Sequence, residues 1–247
     1  MIPKIIHYCW LSGEPYPPLV KQCIESWHKH LPDYEFILWD THRIDIHSNK
    51  WLKEAFDNKK YAFAADYIRC YALYNFGGIY LDSDVEVLKN FDIFLNSKSF
   101  IGYDSTGAIE AAIVGAEPNC QWLGLALQHY ANRPFVKQDG RFDMQPIPRL
   151  FNTVLHKCYR FNDTPDQLQK LSDVTLYPYD YFSPKNYQTK KVNKTHNTHS
   201  IHHFDGAWID DSYKIKLKKL LHTILNGIFG NQLYIKVLNI IRRYKKR

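Results

Sequence analysis

Short apolar runs alternate with longer stretches of helical periodicity along the chain. Lys4-Ile5-Ile6-His7-Tyr8-Cys9-Trp10 has strand length and predicts a buried strand that opens the domain. Ser12-Gly13-Glu14-Pro15 and Pro17-Pro18 mark a loop. Val20, Cys23, Ile24 and Trp27 then recur at helical spacing and predict a helix over residues 18–30. After the turn residues Pro32-Asp33, Glu35-Phe36-Ile37-Leu38-Trp39 predicts a second strand. Residues 51–57 form a short predicted helix and residues 60–75 a longer one, stopped by Gly77-Gly78. Ile79-Tyr80-Leu81 is a third buried strand running straight into Asp82-Ser83-Asp84, and residues 85–88 continue extended. Residues 99–103 and 111–115 read as strands, and residues 118–131 and about 145–158 as helices. Beyond residue 174 the chain is strand and loop, rich in Tyr, Pro and His, with no internal repeat.

Strands that alternate with helices predict α/β architecture around a mostly parallel sheet. Ligands of such sheets bind at the carboxyl ends of strands, where Asp82 and Asp84 lie. The C-terminal pattern differs. Leu217, Leu220, Leu221, Ile224, Leu225 and Ile228 form one apolar stripe, and Tyr234, Val237, Leu238 and Ile241 continue it past Gly230-Asn231. Two units follow: a catalytic-type domain over residues 1–211 and basic amphipathic helices over residues 212–247.

Composition and charge sharpen this division. The 247 residues are 45% hydrophobic and 15% aromatic, which excludes a disordered chain. Mean hydropathy is −0.43 and no stretch has the length of a membrane-spanning helix. The N-terminus carries no secretory pattern. The net charge of +7 is uneven, because residues 214–247 hold ten basic and no acidic residues. The rest keeps 22 basic against all 25 acidic residues, a net of −3, which argues against a nucleic-acid-binding body. The tail reads either as an anchor to an anionic membrane surface or as a helix pair docked on the body. Cys9, Cys23, Cys70, Cys120 and Cys158 form no Cys-x-x-Cys pair, so zinc spacing is absent and reduced thiols of a cytosol are expected.

Four segments carry candidate chemistry. In an extended segment Asp82 and Asp84 point to one side and can serve one divalent cation. Asp66 and Arg69 share a face of the 60–75 helix, and charges on so apolar a helix need a partner or ligand. In Ile201-His202-His203-Phe204-Asp205-Gly206-Ala207-Trp208, a neutral imidazole can complete a metal site begun by carboxylates. The two histidines point to opposite faces of a strand, so at most one is expected to bind metal. Trp10 ends the first strand, where its ring could stack on a base or simply fill the core.

In order along the chain, these segments resemble the Asp-x-Asp (DXD) glycosyltransferases. That group includes initiating α-1,6-mannosyltransferases, bacterial capsular polysaccharide transferases and, distantly, the large clostridial glucosylating toxins. The resemblance lies in Ile2 to Trp10, Ser26-Trp27, Pro32-Asp33-Tyr34-Glu35, Ala62 to Arg69, Gly77 to Val85 and Ile201 to Trp208, spanning about residues 2–210. It implies a Rossmann-like GT-A fold, a UDP- or GDP-sugar donor, Mn²⁺ or Mg²⁺, and retention of anomeric configuration. It implies that Asp84 binds the metal, with Asp82 beside it and His203 as a late ligand. Asp66, Arg69, Asp82, Trp10 and Trp208 would hold the donor, and Arg69 would also steady the departing diphosphate. One departure is Ala207, where many relatives carry Ser.

The expected reaction is sugar transfer from a nucleoside diphosphate to a hydroxyl of a glycan or lipid-linked acceptor, in surface polysaccharide synthesis such as a capsule. The expected place is the cytoplasm, peripheral to the inner membrane face if the tail binds lipid. Glu110, Asp143 and residues 177–187 are candidates for the acceptor cleft. One rival is a haloacid-dehalogenase-like phosphatase using Asp82 as nucleophile, although Glu86 stands where that site favours Thr or Val. The other is a non-catalytic sugar- or membrane-binding module.

Overall fold

The computed structural model describes residues 1–205. A seven-stranded sheet organises them. Strands β1 (Ile5–Cys9), β2 (Glu35–Trp39) and β3 (Gly78–Leu81) pair in parallel, with β1 in the middle. Strand β4 (Val85–Val87) leaves this sheet, while β5 (Ser99–Tyr103), β6 (Ile109–Ala116), β7 (Gln169–Lys170) and β8 (Thr175–Tyr177) complete it in the order β2-β1-β3-β6-β5-β8-β7. β6 runs antiparallel to both β3 and β5, and β7 is antiparallel to β8. Five of the seven strands therefore point one way, with β6 and β7 reversed. The mostly parallel α/β sheet expected from the alternation is present. The reversed β6 was not legible as such, because an apolar run carries no direction.

Both faces of the sheet are covered, which is why its central strands are continuous apolar runs. Helices α1 (Pro18–His30), α2 (Lys50–Asp57), α3 (Tyr61–Phe76), α4 (Gln121–His129) and α5 (Ile147–Cys158) supply the covering layers. Alternate residues of β3 face opposite cores. Tyr80 packs with the α3, α4 and α5 side chains, whereas Ile79 and Leu81 pack with Trp27 of α1 and Phe94. No helix among the described residues is long and apolar enough to cross a membrane, and the five cysteines are free thiols.

The joint between α3 and β3 sets where the acidic pair emerges. Gly77 and Gly78 have φ of +64° and +97°, a region that favours glycine. A Cβ on Gly78 would also lie 2.7 Å from the Ile5 carbonyl oxygen, so β3 approaches β1 this closely only without a side chain. His7 latches the same joint from β1. Trp39 Nε1 donates to His7 Nδ1 (3.1 Å), which leaves His7 Nε2–H to donate to the Gly77 carbonyl (2.8 Å).

That pattern needs a neutral ring. Burial pushes the His7 pKa down to about 4, against the bond to Gly77, which raises it. The unfolded chain takes up this proton near pH 6.5, before the folded one does. The stabilisation by neutral His7 is therefore complete above pH 6.5 and is lost as the pH falls towards 4, by about 3 kcal/mol. Urea denaturation at pH 7 and pH 5 is expected to show a smaller acid loss in His7→Gln than in wild type. Equal losses would remove His7 from the acid sensitivity.

Candidate active site

β3 delivers Asp82, Ser83 and Asp84 at its carboxyl end. The segment is a turn, closed by Val85 N–H donating to the Asp82 carbonyl (3.0 Å), where an extended segment was expected. The turn still brings both carboxylates to one place. β4 then pairs antiparallel with β9 (Ser200–His202), with Val85 opposite His202. Ser26 and Trp27 of α1 hold β4: Trp27 Nε1 donates to the Val85 carbonyl (2.6 Å), and Ser26 Oγ accepts from Val87 N–H (2.9 Å).

Asp66 and Arg69 are not an exposed ion pair. Their side chains are 10% and 5% exposed and sit 3.6 Å apart. The partner that the apolar helix required is Asp82, whose carboxylate accepts from Arg69 Nη2 at 2.7 Å. Arg69 Nη1 donates to the Ala111 carbonyl at 2.8 Å, and the guanidinium lies over the Tyr80 ring at 4.5 Å. Arg69 thus presses its terminal nitrogens onto protein acceptors and fixes Asp82. The resemblance assigned Arg69 to the donor diphosphate; the geometry brings it to the Asp82 carboxylate at the carboxyl end of β3. Burial by itself disfavours the charge on Arg69, but its neighbours, Asp82 foremost, outweigh that and move its pKa upward. Burial pushes Asp66 up to about 7, against the nearby Arg69 charge.

The histidine brought to the carboxylates is His202, where the resemblance implied His203. The pairing with β4 sets His202, the last residue of β9, opposite Val85, and the next side chain, His203, takes the other side. His202 Nε2 lies 3.3 Å from Asp84 Oδ1, and its Nδ1 lies 3.3 Å from Glu110 Oε2. His203 turns away, with Nε2 3.0 Å from Glu86 Oε2 and Nδ1 3.4 Å from Lys185 Nζ. Asp84 also accepts from the Asp205 N–H at 2.9 Å. Burial raises the Asp84 carboxyl, but His202 and that N–H outweigh it and hold the group well below the usual carboxylate range. Burial disfavours charge on His202, but Glu110 and Asp84 together push its pKa well above the ordinary value. Asp82, Asp84 and His202 offer one ligand atom each, all within 4.8 Å of one another. Two carboxylates and one imidazole are a donor set that suits Mn²⁺ and accommodates Mg²⁺.

The family model of the glycosyltransferase sugar-binding region containing the DXD motif matches residues 17–101. Over these residues the chain is similar to the sugar-binding region of the DXD glycosyltransferases. Inositol phosphoceramide mannosyltransferase 3 of Schizosaccharomyces pombe is 35% identical over 121 residues, which cover 46% of this chain and 33% of that protein. Mannosyl phosphorylinositol ceramide synthase SUR1 of Saccharomyces cerevisiae is 26% identical over 240 residues, 93% of this chain and 59% of that protein. The chain therefore spans a third to three fifths of the length of these two relatives. Among solved structures, PaToxG glycosyltransferase aligns with a TM-score of 0.47 and 20% identity, over 63% of this chain and 68% of that one.

The matched residues include Asp66, Arg69, Asp82 and Asp84, which gather at the edge formed by the carboxyl ends of the strands. Trp10 follows the carboxyl end of β1 at that edge, half-buried, with Nε1 donating to the Glu14 carbonyl (2.7 Å) and its ring edge-on to Tyr16. Its indole N–H is thus engaged by the protein. Trp208, Gly206, Ala207 and the basic tail lie outside the described residues. Of the acceptor-cleft candidates, Asp143 is tied to Arg133 and lies 3.7 Å from Lys137, while Tyr177 packs among Phe94, Phe100 and Phe182. Glu110 belongs to the centre itself. Its signal was present in the sequence: one carboxylate inside the apolar strand Ile109–Ala116 demands a charged partner.

Proposed function

We propose that the protein is a retaining, metal-dependent glycosyltransferase that moves a sugar from a nucleoside diphosphate to a hydroxyl of a glycan or lipid-linked acceptor. The observation that carries this reading is the convergence of Asp82, Asp84 and His202 in a DXD sugar-binding region, with Asp82 braced by Arg69. A sugar–diphosphate bond breaks with negative charge growing on the leaving oxygens. A bound Mn²⁺ or Mg²⁺ supplies the neutralising charge for that group. Asp82, Asp84 and His202 would hold the ion. Asp66 and Asp82 would face the donor sugar, and Trp10 and Trp208 would contact the base and phosphate ends.

No covalent nucleophile is invoked. Attack from the face of the departing diphosphate, with that group taking the acceptor proton, accounts for retention. Asp82 is already bonded to Arg69, and Glu86 is bonded to His203, so neither is arranged as the haloacid-dehalogenase reading requires. The two mannosyl-transferring relatives by name put GDP-mannose first among donors to try. We propose a cytoplasmic location, peripheral to an anionic membrane if the ten basic residues of 214–247 bind lipid.

The test is a panel of GDP-mannose, UDP-glucose, UDP-galactose and UDP-N-acetyl sugars with Mn²⁺. Hydrolysis or transfer that releases the nucleoside diphosphate from one donor is expected. Phosphate release from simple phosphomonoesters, with no donor cleaved, would support the phosphatase instead.

A further inference from the structure

β6 is irregular where it passes the centre. Its register against β5 jumps: Ile101 pairs with Val114, yet the next residue, Gly102, pairs with Glu110. The stretch between them is freed from β5, and its backbone serves the site. The Ala111 carbonyl accepts from Arg69, the Ala112 carbonyl accepts from Asp82 N–H (2.9 Å), and the Ala112 N–H donates to Glu110 Oε1 (2.9 Å).

That last bond curls the Glu110 side chain back along its own strand and commits one oxygen. The other oxygen, Oε2, faces His202 Nδ1 at 3.3 Å, an ion-pair contact short of an aligned hydrogen bond. Glu110 is buried and His202 Nδ1 is fully enclosed, so no solvent competes for this contact. The opposite ring nitrogen, Nε2, is the one directed at Asp84. An imidazole presents a lone pair at one nitrogen only when its proton sits on the other.

We propose that Glu110 is a positioning residue: it holds the proton on His202 Nδ1 and so presents Nε2 to a divalent cation shared with Asp82 and Asp84. Carboxylate–imidazole pairs of this kind orient metal-binding histidines generally. The inference rests on the metal site of the proposed function. Glu110→Gln discriminates well. Its amide oxygen can keep the bond from Ala112 N–H, which turns the NH₂ group towards Nδ1. The ring then gains by accepting at Nδ1 and carrying its proton on Nε2, the wrong arrangement for a ligand.

Mn²⁺ titrated calorimetrically into the full-length, nucleotide-free protein tests this. Glu110→Gln is expected to weaken Mn²⁺ binding ~10–100-fold. In a His202→Ala background the same change is expected to have no further effect, which a merely structural role would not produce. Equal weakening in both backgrounds, or none in either, would overturn the assignment. Asp84→Asn separates the two levels. If it weakens Mn²⁺ while Glu110→Gln does not, the positioning role fails alone; if it leaves Mn²⁺ binding intact, the metal site fails and Glu110 with it. Should Glu110→Gln fold poorly, the ¹⁵N shifts of His202 in wild type with Mg²⁺ decide: a proton on Nδ1 is expected, and one on Nε2 overturns the proposal.

Discussion

The double variant Asp82→Asn, Asp84→Asn is expected to lose donor turnover by at least ~10²-fold, and to lose Mn²⁺ binding, while remaining folded. Both substitutions keep the side-chain shape and remove the negative charge. The amide oxygen introduced at position 84 can still accept from Asp205 N–H, and the one introduced at position 82 can still accept from Arg69 Nη2, so the turn after β3 keeps its bonds. What disappears is the charge that a cation and a departing diphosphate require. His202 would then face Glu110 as its one remaining anionic neighbour of the pair that flanks it. Near-native circular dichroism with absent turnover is the expected combination. Turnover within a few fold of wild type would remove the acidic pair from the chemistry.

Arg69→Ala is expected to produce the largest loss of stability. Asp66 would be left in the interior, and half-buried Asp82 beside it, without the cation that neutralises them, and the Tyr80 ring would lose the guanidinium stacked on it. Removing one partner of a buried ion pair typically destabilises by about 3–5 kcal/mol. For a domain of this size, that lowers Tm by roughly 6–20 °C. The sign of the pH dependence is distinctive. Asp66 already has its carboxyl raised to about 7 by burial, and without Arg69 both carboxyls rise further. Acidification then neutralises them in the folded state, so the deficit relative to wild type should shrink between about pH 7.5 and pH 5. Arg69→Lys should recover only part of the loss, because one ammonium cannot reproduce the fork between Asp82 and Ala111. Thermal melts at the two pH values check this. A melting point within about 2 °C of wild type would show that the buried charges find other partners.

Local periodicity made much of the fold legible. β1, α1, β2 and α3 fall within a residue or two of the spans read from apolar spacing, and the double glycine ended α3 as expected. Each of those signals is contained within one element. The same holds for Asp82 and Asp84, which a buried strand delivers at its end. The need of Asp66 and Arg69 for a partner was readable from their apolar surroundings, although the identity of that partner was not.

What escaped the sequence depends on pairing between distant segments. The direction of β6 and its register jump against β5 are set by tertiary packing, which leaves no periodic trace. Two adjacent histidines announce that they face opposite sides, but only the β4–β9 register, across more than a hundred residues, says which side holds the carboxylates. It is His202. Glu110 was singled out only as a candidate for the acceptor cleft, and nothing local could have paired it with that histidine.

The most direct measurement is release of nucleoside diphosphate from the donor panel by the full-length protein, first with Mn²⁺, then after chelation, then after Mn²⁺ is restored. The expected result is release from one nucleotide sugar that stops on chelation, returns with the ion, and is absent from the Asp82→Asn, Asp84→Asn variant. Release that persists through chelation, or that survives the double substitution, would contradict a metal-dependent transfer site at the end of β3.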